Sequence, residues 1–246
     1  MKNNILYGLL LSTISLFGCK NGENTAKTLL FATSGEYPPF EYMEQGKLKG
    51  YDIEVAQMIA QILGKEAQFE NMQFSSILPA LAYGHVDAAI STITITQDRQ
   101  KIFDFSQPYY FESMSAVFRK KTPIQNTEML FQKKIACQLG TTMEIWLKKQ
   151  NLKEKIITTD NNTQAIEALK AGHIDAVVMD GAQAKIFSEK NPGLSYTTIA
   201  KSEDGFGIAL KKHSTLTADI NYALEILSTN GQLEKLQTKW LGDTTK

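Results

Sequence analysis

From residue 28 onward, short β-branched runs alternate with stretches whose apolar residues recur every three or four positions, the pattern of an α/β protein. Residues 28–33 read as a buried strand, followed by the rigid turn Tyr37-Pro38-Pro39-Phe40 and a hairpin bracketing 44–49. Ile53, Ala56, Ile59, Ala60 and Leu63 form one helical stripe that Gly64 ends. Asp52 is expected to cap that helix, and with Glu54 it reads as a capping and dipole residue rather than half of a catalytic pair. Residues 65–69 predict a second strand, 77–83 a helix, 86–90 a strand, and Thr96 the cap of a short helix holding Arg99. Further on, strands are expected at 115–118, 135–138, 156–158, 176–179 and 206–210, with helices at 142–150 and within 221–240.

One stretch occurs twice. Residues 80–90, ALAYGHVDAAI, match 168–178, ALKAGHIDAVV, without a gap. In each copy a helix ends in a Gly suited to the left-handed conformation, and a short strand follows. Two similar αβ lobes are implied. Ligands of α/β sheets gather at the carboxyl ends of strands, so Ser91 to Thr94 in one lobe and Met179 and Asp180 in the other are expected to face one cleft.

Composition narrows the function. The 246 residues carry 26 Lys and Arg against 26 Asp and Glu, with no basic stripe, so nucleic acid is not an expected partner. Only two of those cations are arginines, Arg99 and Arg119, and each therefore calls for a reason. His85 and His173 occupy the same repeat position in a turn, which argues for a structural or solvated role, and His213 stands alone. No HExxH, paired Cys, nucleophile elbow or phosphate loop is present, so no metal, cofactor or hydrolytic chemistry is implied. At the start, Lys2, an apolar run over 5–17 and Leu16-Phe17-Gly18-Cys19 resemble a lipoprotein signal, although Phe17 is larger than the residue usual at its site. Residues 1–18 are expected to be a signal peptide, Cys19 the lipidated N-terminus and 19–28 a polar tether. Cys137 then has no disulfide partner.

The segments FATSGEYPPFEY, GYDIEVAQMIAQIL, FSSILPALAYGHVDAAISTITITQDRQKIFDFSQPYY, GTTMEIWL, GHIDAVVMD and NGQLEKLQTKWLG resemble, in order, the family 3 extracellular solute-binding proteins of bacterial ABC transporters for polar amino acids. FATxxxYPPFE and GTT resemble the arginine-binding members in particular. The resemblance implies a two-lobed periplasmic-binding-protein-like fold of type II, with lobe 1 from 29–110 and 208–246, lobe 2 from 115–204, and hinges near 111–114 and 205–207. It further implies a monomeric, non-enzymatic receptor outside the cytoplasmic membrane. That receptor would be anchored through lipid alone and would deliver a basic L-amino acid to a permease, arginine ahead of lysine, then histidine or glutamine. An alternative on the same fold is a periplasmic cyclohexadienyl or arogenate dehydratase. The chain's end six residues past Trp240 is expected to leave no room for the second domain of a larger transglycosylase or sensor.

By the same resemblance, Arg99 grips the ligand's α-carboxylate, for which a guanidinium fork is suited and a lysine is not. Thr94 donates a hydroxyl to it, Ser91 and Thr92 present further donors, and Asp180 holds the α-ammonium. Tyr37 and Phe74 are aromatic walls for the ligand's side chain, and Gln138 and Thr142 are contacts from the second lobe. Ser34 stands where the family often carries an acid, Glu36 is the candidate to compensate, and Met143 replaces a polar residue of some basic-amino-acid binders. Without the resemblance, the two aromatics would read as core and Glu36 as solvated.

Overall fold

The structure is a computed structural model that describes residues 27–150, 156–201 and 204–242. The signal segment, Cys19 and most of the expected tether lie outside the described residues. Two five-stranded sheets form the frame. The first runs β5 (Glu66–Asn71), β1 (Thr28–Thr33), β6 (Ala88–Ala89), β13 (Ala209–Lys211), β7 (Phe103–Phe105), with β1 parallel to both β5 and β6 and β13 antiparallel to its neighbours. The second runs β10 (Ile156–Thr159), β9 (Ile135–Gln138), β11 (Ala176–Asp180), β8 (Ser113–Arg119), β12 (Leu194–Lys201). A small hairpin sheet, β2 (Glu36–Tyr37), β3 (Glu41–Glu44) and β4 (Lys47–Lys49), caps the first. The chain crosses between the large sheets twice, after β7 and after β12.

Each large sheet is covered on both faces, as parallel strands require. On the first, α1 (Tyr51–Ile62), α7 (Leu216–Thr229) and α8 (Gln232–Leu241) bury Phe31, Ile59 and Leu227, while α2 (Phe74–Tyr83) packs Ile77 and Leu81 on the other face. On the second, α4 (Thr142–Lys149) and α5 (Asn162–Lys170) lie on opposite faces, with Leu147 in one core and Ile166 in the other, and α6 (Gly181–Lys190) follows β11. The repeat is structural: α2 and α5 are both followed by a positive-φ glycine, Gly84 (φ 77) and Gly172 (φ 82), and both lead to a strand beside the cleft.

Two expectations need correction. The strand over 86–90 is regular only at Ala88 and Ala89, because the chain turns away at Ser91. Asp52 does not cap α1. The cap is Gly50 (φ 131), where a Cβ would lie 2.1 Å from the Phe40 carbonyl oxygen, and Asp52 instead turns its carboxylate into the interior. Phe40 itself is enclosed by Tyr51, Tyr110 and Phe206, with ring centroids 5.3 to 6.1 Å away. Such pairs add about 0.5–1.5 kcal/mol each beyond area burial. This cluster fixes the Tyr37–Phe40 turn against both crossovers.

Candidate functional site

The carboxyl ends of β6, β9 and β11 face one another across the gap between the lobes, where α/β proteins bind ligands. Tyr37, Phe74, Thr92, Thr94 and Arg99 from the first lobe, and Gln138, Thr141, Thr142, Met143 and Asp180 from the second, line a cavity of only about 10 Å³. That is far below the roughly 300–1,000 Å³ of a ligand pocket, so the lobes are drawn together over the site. The cleft is closed by three bonds between lobes. Tyr37 Oη donates to Asp180 Oδ2, Arg99 Nη2 donates to the Gly140 carbonyl at 3.0 Å, and the hydroxyls of Thr94 and Thr142 meet at 3.3 Å.

Arg99 sits in the short helix α3 (Gln97–Gln100), whose cap is Thr96 as expected. Its other bond goes to the Thr94 carbonyl at 2.8 Å, so both partners of this 8% exposed guanidinium are neutral. Burial pulls its pKa down to about 10. Asp180 ends β11, is 7% exposed, and is pushed up to about 8 by burial, against which the Tyr37 hydrogen bond works in the other direction. Neither has an ionic partner among the described residues. The other arginine is accounted for by structure alone: Arg119 donates to the carbonyls of Leu169 and Ile174, both at 2.6 Å, and pairs with Asp175.

Of the residues expected at the site, Tyr37, Phe74, Thr92, Thr94, Arg99, Gln138, Thr142, Met143 and Asp180 meet at this cavity. Three do not. Glu36 is exposed, because β2 alternates and its neighbour Tyr37 takes the inward position. Ser34 and Ser91 are buried but stand outside the lining; the Ser91 hydroxyl accepts from the Ser34 amide at 3.2 Å and donates to Glu41 Oε1 at 2.7 Å. Thr141 is the lining residue that sequence reading missed. It caps α4, accepting from the Glu144 amide and donating to the Gln138 carbonyl at 2.7 Å. The Thr-x-x-Glu spacing of a capping box was its signal.

This arrangement, two αβ lobes with a lined cleft at the strand ends and a double crossover, defines a two-lobed solute-binding protein. The chain belongs to the bacterial extracellular solute-binding proteins, family 3, whose model matches residues 29–243. It is 34% identical over 237 residues to the arginine-binding extracellular protein ArtP of Bacillus subtilis, spanning 93% of each chain. It is 32% identical to the L-cystine-binding protein TcyJ of Escherichia coli K12, over 98% of this chain and 93% of that one. Among solved structures, an ancestral arginine-binding protein bound to arginine matches with a TM-score of 0.84 at 38% identity, covering 88% of this chain and 99% of the other. An ancestral arginine-binding protein bound to glutamine matches with a TM-score of 0.84 at 38% identity, covering 88% of this chain and 99% of the other. Among the described residues, no helix is long and apolar enough to cross a membrane, and no group of three or more His, Cys, Asp or Glu could hold a metal ion.

Proposed function

We propose that this chain captures an L-α-amino acid outside the cytoplasmic membrane and hands it to the permease of an ABC importer, catalysing no reaction. The observation that carries the reading is a buried guanidinium and a buried carboxyl group, each without an ionic partner among the described residues, on opposite sides of one cavity. Buried charge is costly unless paired, which leaves Arg99 short of a counter-ion and holds Asp180 protonated until a cation meets it. A zwitterion satisfies both: its carboxylate takes the Arg99 fork with the Thr94 hydroxyl, and its ammonium replaces Tyr37 at Asp180. Thr92, Thr141 and Thr142 complete the polar wall. The side chain then lies between Tyr37 and Phe74 toward Gln138 and Met143.

We favour a basic ligand, arginine first and lysine next, with histidine or glutamine weaker. Aromatic faces attract a desolvated cation by on the order of 1–2 kcal/mol more than a neutral group, and relatives named for arginine support the order. Thermal unfolding against all amino acids, and against prephenate with phenylpyruvate detection, tests the reading. Arginine at 100 times its Kd is expected to stabilise by about 2.7 kcal/mol. Stabilisation by no amino acid, or turnover of prephenate, overturns it. We further propose that the protein acts as a monomer tethered through lipid on Cys19. Palmitate labelling in a bacterial host is expected to vanish in Cys19→Ser, and equal labelling of that variant refutes the anchor.

A further inference from the structure

Behind the cavity wall lie two carboxyl groups that the ligand does not reach. Glu41 on β3 and Asp52 in the first turn of α1 are both fully buried, and no lysine, arginine or histidine bonds to either among the described residues. Two of their four oxygens have donors. Glu41 Oε1 accepts from Ser91, and Asp52 Oδ2 accepts from the Thr92 amide and the Tyr109 hydroxyl, both at 2.8 Å. Glu41 Oε2 and Asp52 Oδ1 are buried with no donor among the described residues, and because the two acids bond to the adjacent residues Ser91 and Thr92, their carboxyl groups are neighbours. Two ionised carboxylates cannot bond to one another, whereas an acid and a carboxylate can.

What this pair holds is unusual. Thr92, which lines the cavity, has φ 46, a left-handed conformation that a β-branched residue rarely adopts unless its surroundings hold it there. Its amide is fastened to Asp52, while the hydroxyl of the preceding Ser91 donates to Glu41 and accepts from the Ser34 amide. We propose that Glu41 and Asp52 share one proton, held by Glu41 and donated to Asp52, and that this singly charged unit positions Thr92 for the ligand.

The surroundings agree. Burial raises Glu41 well above the usual carboxylate range, with the Asp52 charge adding to it, and burial raises Asp52 to about 7. The titratable groups facing the pair are Tyr37, Tyr51, Tyr109 and Asp180, none of them cationic. Ser34 and Ser91, which the family resemblance sets at the ligand, thus serve the wall from behind.

The role in binding rests on the amino-acid reading above, but the shared proton does not, so the test reads both. In ligand-free protein, the carboxyl carbon of Glu41, assigned by its loss in Glu41→Gln, is followed by NMR against pH. It is expected to remain in the protonated position at pH 7. An ordinary titration near pH 4.3 overturns the proposal whether or not any amino acid binds. Calorimetry with arginine then separates the roles. Glu41→Gln, whose amide is a permanent neutral donor, is expected to keep Kd within about twofold, and Glu41→Ala to weaken it at least tenfold. Equal weakening by both variants also overturns it. Asp52→Ala is expected to lose at least tenfold and to regain threefold or more when Thr92→Gly is added, since glycine needs no carboxylate to hold a positive φ. Failure of that rescue removes the positioning role. If wild type binds no amino acid while Glu41 stays protonated, the functional reading fails alone.

Discussion

Among the described residues the Arg99 guanidinium donates only to the Thr94 and Gly140 carbonyls, so its charge is left for a ligand. Arg99→Lys is expected to weaken amino-acid binding at least tenfold, about 1.4 kcal/mol, because an ammonium cannot make two parallel bonds to a planar carboxylate. Calorimetry giving an unchanged Kd would remove the assignment. Asp180 supplies a pH dependence. Burial holds it protonated up to about pH 8, and a ligand ammonium needs the carboxylate, so binding releases a proton below that pH. Affinity is therefore expected to rise from pH 6 to 8, with heats that differ between buffers of different ionisation enthalpy. In the ligand-free protein the sign is opposite. A carboxyl raised in the folded state gives stability that is complete below its unfolded pKa, about 3.9, and is lost as pH rises through the folded value, so the melting temperature is expected to fall between pH 5 and 8. At this scale the sequence was most legible where a residue type was rare, as with Arg99. It was least legible where the partner lay far along the chain: nothing near Glu41 or Asp52 announces Ser91, Thr92 or Tyr109. Glu36 could have been read correctly, since period-two alternation allows only one of Glu36 and Tyr37 to face inward.

The repeated helix, glycine and strand make the two lobes visible as elements, because Gly84 and Gly172 end their helices in the same way whatever surrounds them. Gly50 is different in kind, for its requirement comes from the Phe40 carbonyl ten residues earlier. Gly172→Ala, with open space around it, is expected to cost about 1 kcal/mol in urea unfolding for its positive φ alone. Gly50→Ala adds a collision with backbone and is expected to cost clearly more, through displacement of the Tyr37–Phe40 turn. Equal losses would contradict the distinction. The shortness of β6 was hidden for a related reason: its β-branched continuation, Ile90 to Thr94, has strand propensity but turns to line the cleft, where tertiary contacts override it.

Across the whole molecule, the two charges of the site belong to different lobes, so a ligand that needs both is bound fully only when the cleft is shut. Small-angle scattering is expected to show a smaller radius of gyration on addition of arginine, and an unchanged radius in a sample shown to bind would contradict this. The closing bonds already present between Tyr37 and Asp180 and between Arg99 and Gly140 occupy the groups a zwitterion would take.

The place of β13 also orders the protein's assembly in time. This strand sits between β6 and β7, although it comes almost last in the chain, after the entire second sheet. A chain halted before residue 209 has β7 without its sheet partner among the described residues and β6 with an open edge, while the five strands of the second sheet are all already made. The lobe that begins first is thus finished last, and a polypeptide emerging from its amino end cannot lock that lobe until nearly all of it has been delivered.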